Sequence, residues 1–169
     1  SSLYVREGDD AGHVWDSAGN NWRSTYNQGT FLGAAIMLYE KYGTQQYYDD
    51  ACNVMANTVK HLCYNNILKE ENTNSGDLSG MRGILMRYMR KFIVDFNKGE
   101  YLSFFKDNAR VAWMNSNSKG IMQCSWQKKA SEDATWDSFA AYNAISLMAN
   151  MPTYANNLQR DCLLYTSDA

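Results

Sequence analysis

Proline is almost missing: Pro152 is the single proline in 169 residues. Proline removes a backbone donor and clashes with the preceding turn, so a chain nearly free of it can carry long helices. A basic excess is missing as well. Sixteen Lys and Arg stand against 18 Asp and Glu, a formal net charge of −2, which argues against a nucleic-acid partner because nothing is left over to neutralise phosphates. No run reaches the roughly 18 apolar residues of a membrane span, so no membrane segment is expected. No CxxC or Cys/His metal spacing occurs. Cys52 and Cys63 read as sharing one helix, about three turns apart and too far to bridge. His13 and His61 are far apart in sequence and read as surface or loop histidines rather than ligands. An initiator Met and a signal peptide are also lacking. The chain opens on Ser1-Ser2-Leu3 and is expected to be a fragment, so missing targeting signals say nothing of location. Residues 162–169, Cys-Leu-Leu-Tyr-Thr-Ser-Asp-Ala, resemble a translated sequencing adapter and are left out of the fold reading.

What is present is aromatic: 12 Tyr and 5 Trp contribute to an aromatic share of 14%. Such rings fill a helical core, or they line a cleft where each shows an apolar face and a polar tip. The stretch from Trp22 to Gly43 organises the rest. Tyr26-Asn27-Gln28-Gly29 runs into a helix over 24–42 that is apolar on nearly every side. Ser24 or Thr25 can cap it, and Gly43 can end it. A helix apolar all round is expected to be buried all round. The polar groups at its mouth then sit at the rim of a core, as in a binding pocket.

Four more helices follow from the periodicity. The second, over 45–62, places Tyr48, Ala51, Cys52, Met55 and Val59 on one face, with Asp49, Asp50, Asn53, Asn57 and Lys60 on the other. The third, over 79–96, is apolar on most sides with arginines interleaved. The fourth, over 100–116, is again one-faced, and the fifth, over 131–149, is mostly small and apolar. Buried and one-faced helices therefore alternate, and the buried ones begin roughly 50 residues apart, a repeat of helical hairpins. An inner layer touching neighbours on both sides and an outer layer touching one would produce that alternation. The fold expected is all-α: an α/α toroid, for which this chain supplies about three inner helices, or half a barrel.

Two segments resemble glycoside hydrolase family 76, the endo-α-1,6-mannanases and related fungal wall-remodelling proteins. One is Trp22 with Thr25-Tyr26-Asn27-Gln28-Gly29-Thr30-Phe31-Leu32-Gly33-Ala34-Ala35 and Leu38-Tyr39, preceded by Gly12-His13-Val14-Trp15-Asp16. The other is Met81-Arg82-Gly83-Ile84-Leu85-Met86-Arg87-Tyr88, with Arg82 where the family usually has Lys. The resemblance implies a partial (α/α)6 barrel, with residues 1–153 as the C-terminal half of the hydrolase domain. It implies retaining cleavage of α-1,6-mannosidic bonds in mannan, no cofactor, and a secreted, periplasmic or cell-surface setting. The family's adjacent catalytic aspartates are expected upstream of Ser1, leaving no catalytic residue here. A transglycosylase of the same fold and a non-catalytic helical-repeat binding module are the alternatives.

The candidate substrate-binding residues are Asp16, Tyr26, Asn27, Gln28, Arg82, Arg87 and Trp136. Sugars present many hydroxyls, and Tyr26, Asn27, Gln28 and Asp16 offer amides, a carboxylate and an aromatic face. Asn27 and Gln28 could instead cap the helix and pin the preceding loop. Arg82 and Arg87 need partners if buried, either a carboxylate such as Asp77, Asp133 or Asp137 or the substrate. Trp136 and Trp15 either stack on a sugar ring or fill the core. Two adjacent pairs imitate a catalytic dyad. Asp9-Asp10 sits in a Gly-flanked turn. Asp49-Asp50 falls on the solvated side of the second helix, where nothing raises a carboxyl pKa as an acid catalyst requires.

Overall fold

A computed structural model describes residues 3–69, 76–135 and 138–152. Trp136 and the adapter-like tail lie outside the described residues. Helix α1 spans Thr25–Tyr42. Ser24 caps it, its Oγ accepting the Asn27 N–H at 3.0 Å, and Gly43 ends it in the left-handed conformation with its N–H on the Tyr39 carbonyl at 2.8 Å. Helix α2 spans Gln45–His61. Strands β1 (Cys63–Tyr64) and β2 (Ile67–Leu68) form a small antiparallel hairpin. Asn65 and Asn66, at φ of 50° and 62°, make its tight turn, since Asn tolerates positive φ better than most residues. A 3₁₀ turn, Asp77–Gly80, leads into α3, Met81–Asp95. Another, Gly99–Tyr101, leads into α4, Leu102–Met114. Helix α5 spans Ser138–Ala149.

Three expectations need correcting. Cys63 lies in β1, past the end of α2. Helix α5 starts at Ser138, not at residue 131. The segment before it is tied elsewhere: Glu132 accepts the Ser118 N–H at 3.2 Å, and the Ser131 carbonyl accepts Asn117 Nδ2 at 2.9 Å. Finally, α1 is not buried all round. Leu32 and Ile36 are fully buried, but Tyr26, Thr30, Ala34, Met37 and Leu38 are exposed along its other side, Met37 by 50%. A helix this apolar with one side bare lies at an open edge. Helix α5 has a bare side too, where Ile145 is 63% exposed.

The close approaches give the directions of the helices. A Cβ on Gly29 would lie 2.7 Å from Leu85 Cα, a Cβ on Gly33 would meet the Tyr88 ring, and Tyr39 packs edge-on to Phe96 with centroids 5.1 Å apart. Residue numbers rise together along both helices, so α1 and α3 are parallel. Gly80 meets Phe139 and Gly83 meets Tyr142, so α3 and α5 are parallel as well. Gln28 reaches Thr58 while Tyr39 packs on Tyr48, so α2 returns antiparallel to α1. This is an all-α fold and a part of an (α/α)6 barrel: α1, α3 and α5 form the inner layer, and α2 and α4 the outer. Central α3, packed on both sides, buries Leu85, Met86, Met89, Phe92 and Ile93 completely, and these join Leu32, Ile36, Val54, Met55 and Phe105 in one core.

Burial pushes the Cys63 thiol from 9.0 up to about 12, against a smaller downward pull from Lys69. Burial and the Asp50 charge raise the Tyr4 phenol in the same direction. A raised folded-state pKa means that the folded chain holds its proton longer than the unfolded one. The associated stability is complete below pH 9 and is lost as pH climbs towards 12. The urea midpoint of the intact protein should therefore fall across that window, and Cys63→Ser should flatten part of the slope.

Candidate functional site

Because the inner helices are parallel, their N-terminal ends share one face of the molecule. The described parts of the connections from α2 to α3 and from α4 to α5 lie on the same face. A cleft of about 480 Å³ opens there between the three inner helices, lined by Thr30, Ile84, Arg87, Ser138, Phe139 and Tyr142. Each helix contributes residues from its first turns, and glycine lets the helices approach closely enough to share a wall. A Cβ at Gly83 would sit 2.6 Å from the Tyr142 ring and 2.9 Å from Ser146 Cβ. Asn143 and Ser146 take the place of that missing bulk. Asn143 Oδ1 accepts the Gly83 N–H at 2.8 Å, and Ser146 Oγ donates to the Gly83 carbonyl at 2.6 Å.

Arg87 is exposed in this cleft, and its own neighbour orients it. Nη2 donates to the Tyr88 hydroxyl at 2.8 Å, and the guanidinium lies 4.7 Å from the Tyr88 ring centroid. Phe139 and Tyr142 stack nearly parallel, at 7° with centroids 6.1 Å apart. The cleft therefore offers flat apolar faces, three hydroxyls from Thr30, Ser138 and Tyr142, and one cation. Its described lining includes no carboxylate, so these residues can hold a polyhydroxylated ring but supply no acid and nucleophile to cut a bond. Among the described residues no group of three or more His, Cys, Asp or Glu could hold a metal ion.

The other sequence candidates divide. Tyr26 is 41% exposed, one helical turn from Thr30, whose Oγ1 donates to the Tyr26 carbonyl at 3.0 Å. Asn27 and Asp16 are brought together, Asn27 Nδ2 donating to Asp16 Oδ1 at 3.1 Å, with Asn20 on the other carboxylate oxygen at 3.2 Å. These three stand at the mouth of α1. Gln28 does not face a ligand. It is wholly buried, Oε1 accepting the Val14 N–H at 2.8 Å while Nε2 donates to the Gly12 carbonyl at 2.9 Å and approaches Val54 O and Thr58 Oγ1. It staples the incoming loop and α2 to α1. Arg82 is also withdrawn, at 2% exposure. Its guanidinium lies 4.6 Å from the centre of the buried Trp126 ring, and Nη1 donates to the Leu68 carbonyl at 3.4 Å. Trp136 lies outside the described residues.

Neither aspartate pair lines the cleft, and one was misplaced. Asp50 is buried, not solvated, and Arg6 clamps its two oxygens at 2.9 and 2.8 Å. It sits in the second turn of α2, an outer helix, and is not among the residues that line the cleft. Asp49 is exposed and accepts from Gln45 at 2.9 Å. Asp10 joins a loop network with His13 and Arg23. Burial would raise its pKa, but the His13 hydrogen bond and the Arg23 charge outweigh that and lower it. His13 is a loop residue but buried, at 1% exposure. His61 is held below its ordinary pKa by burial and by the positive charges of Arg23 and Lys60.

Thr30, Ile84, Ser138, Phe139 and Tyr142 escaped the sequence reading. Thr30 and Ile84 lie inside the two family-like segments, and Ser138, Phe139 and Tyr142 fall at i, i+1 and i+4, one face of a first turn.

The family model for glycosyl hydrolase family 76 matches residues 3–160. The chain belongs to that family. Among solved structures, the GH76A α-1,6-mannanase from Salegentibacter sp. HEL1_6 is similar at 29% identity and a TM-score of 0.73, over 83% of this chain and 45% of that one. An inactive variant of that enzyme, with two consecutive aspartates changed to asparagine, has been solved with α-1,6-mannotriose; it is similar at 27% identity and a TM-score of 0.74, over 85% and 46%. The Lin0763 protein from Listeria innocua shares the fold at 24% identity and a TM-score of 0.75, over 91% and 45%. No curated protein sequence matches. This family 76 chain thus spans under half the length of these relatives. No described helix is long and apolar enough to cross a membrane.

Proposed function

We propose that this chain is the C-terminal half of a retaining glycoside hydrolase that cleaves α-1,6-mannosidic linkages in mannan. Residues 1–153 would form half of the (α/α)6 domain, with the catalytic aspartate pair on the other half. The observation that carries the reading is the cleft at the N-terminal ends of the inner helices: aromatic faces, hydroxyls and an oriented Arg87, with no carboxylate among its described lining residues. Such a surface grips sugar and leaves the bond chemistry to groups facing it. A retaining mechanism needs those two carboxyl groups about 5–5.5 Å apart. Tyr26, with Asn27 and Asp16, extends the grip along the rim, and the bare sides of α1 and α5 are where the rest of the barrel would pack.

The test is to join the chain to the remainder of its polypeptide and incubate it with linear α-1,6-mannan. New reducing ends, appearing first as the α-anomer by proton NMR, are the expected result. Longer chains instead would point to transglycosylation, and binding without new ends to a binding module; either would overturn the hydrolase reading. In the active protein Arg87→Ala should lower kcat/KM by about 10- to 100-fold. That is the range for losing a charge-assisted hydrogen bond to a hydroxyl.

A further inference from the structure

A second hollow, of about 420 Å³, shares no lining residue with the cleft. It lies between the β1–β2 hairpin and the loop after α4, bounded by Tyr64, Leu68, Lys69, Ser125, Gln127 and Lys128. Both boundaries connect an outer helix to an inner one, so the hollow opens on the same face as the cleft. It is of the size that holds small ligands, about 300–1,000 Å³.

Its walls are fixed by side-chain hydrogen bonds. Asn108 clamps the hairpin, Oδ1 accepting the Leu68 N–H at 2.9 Å and Nδ2 donating to the Asn66 carbonyl at 3.1 Å. Asn115 Nδ2 holds the Trp126 carbonyl at 2.9 Å. Gln127 Nε2 ties one wall to the other through the Tyr64 carbonyl at 2.9 Å. The Arg82–Trp126 stack lies behind, with Arg82 on Leu68 O. Against this rigid frame the Tyr64 ring is 62% exposed. A large ring left in water on a clamped turn is a platform at a fixed place, because the backbone that carries it needs no ordering when a ligand arrives. Ser125 supplies a hydroxyl, and Lys69 and Lys128 supply donors around it.

We propose that this hollow is a second saccharide site, which takes hexose units of a neutral mannan chain outside the cleft. The Tyr64 ring meets the C–H face of a sugar, and Ser125 and the two lysines hydrogen-bond its hydroxyls. The inference rests on the mannan reading above, but the two can fail separately.

The intact protein is run through native gels containing linear α-1,6-mannan, and its hydrolysis of α-1,6-mannotriose is measured in parallel. Tyr64→Ala should weaken gel retardation about tenfold in apparent Kd and leave trisaccharide turnover unchanged. Tyr64→Trp, which keeps a ring face, should restore retardation. If Tyr64→Ala is retarded like the parent protein while both cleave the trisaccharide, the second site is wrong and the hydrolase reading stands. If Tyr64→Trp binds as poorly as Tyr64→Ala, the ring is not the platform, and the proposal falls. If the parent protein neither cleaves the trisaccharide nor is retarded, the mannan reading fails and this site with it.

Discussion

Replacing Trp126 with alanine should destabilise the protein by about 4 kcal/mol, measured as a shift in the urea midpoint of the intact chain. Truncating a buried Trp costs about 3–5 kcal/mol through lost transfer energy and the cavity left behind. Trp126 is 1% exposed, so all of its surface is at stake. The ring also faces the Arg82 guanidinium at 4.6 Å, and a desolvated contact of that kind is worth about 2 kcal/mol. The two contributions overlap, so they do not add in full. Trp126→Phe separates them: it keeps a face beneath the cation and gives up only part of the volume. The phenylalanine variant should lie clearly nearer the parent than the alanine variant does. Equal losses from both would mean that the guanidinium draws nothing from the ring.

Gly29→Val should be the second severe substitution, costing about 3 kcal/mol or more through overpacking. The obstacle is backbone: a Cβ at Gly29 would stand 2.7 Å from Leu85 Cα and 2.8 Å from Leu85 N. Helix propensity runs the other way, since glycine inside a helix is worse than alanine by about 1 kcal/mol. The steric conflict wins because neither helix can yield without parting α1 from α3. Gly33→Ala provides the comparison. Its obstacle is the Tyr88 side chain, which can swing aside, so the loss should be smaller than for Gly29→Ala. A melting experiment on the two alanine variants that showed the reverse order would refute this account of the crossing.

Local chemistry was the legible part of this fold. Ser24 and Gly43 bound α1 as their side-chain chemistry and conformational freedom predict. The alternation of all-apolar and one-faced helices led to the inner and outer layers. The misses share one cause, a partner distant in sequence. Asp50 read as solvated because it falls on the polar face of its helix; Arg6, 44 residues away, clamps it there. Arg82 also stacks on Trp126, which comes from the loop after α4 and which its own helix gives no sign of. Gln28 looked like a ligand group because amides bind sugars, but it is saturated by a loop and a second helix. The hairpin was overlooked because its strands are two residues each, too short for alternation to register. The bare side of α1 follows from what lies beside the helix, which its own composition does not encode.

The parallel course of the inner helices has an electrical consequence. Every helix carries a macrodipole equivalent to about half a positive charge at its N-terminus. Helices α1 and α3 direct theirs at the same cleft, and neither has an acidic side chain in its first turn to cancel it. The backbone thus adds positive potential at the mouth of the cleft, which the Asp16 carboxylate on Asn27 offsets in part at the start of α1. Under the function proposed above, a carboxylate brought to that mouth would be favoured in its ionised form, and a carboxyl that has to keep its proton would be better placed away from the helix ends.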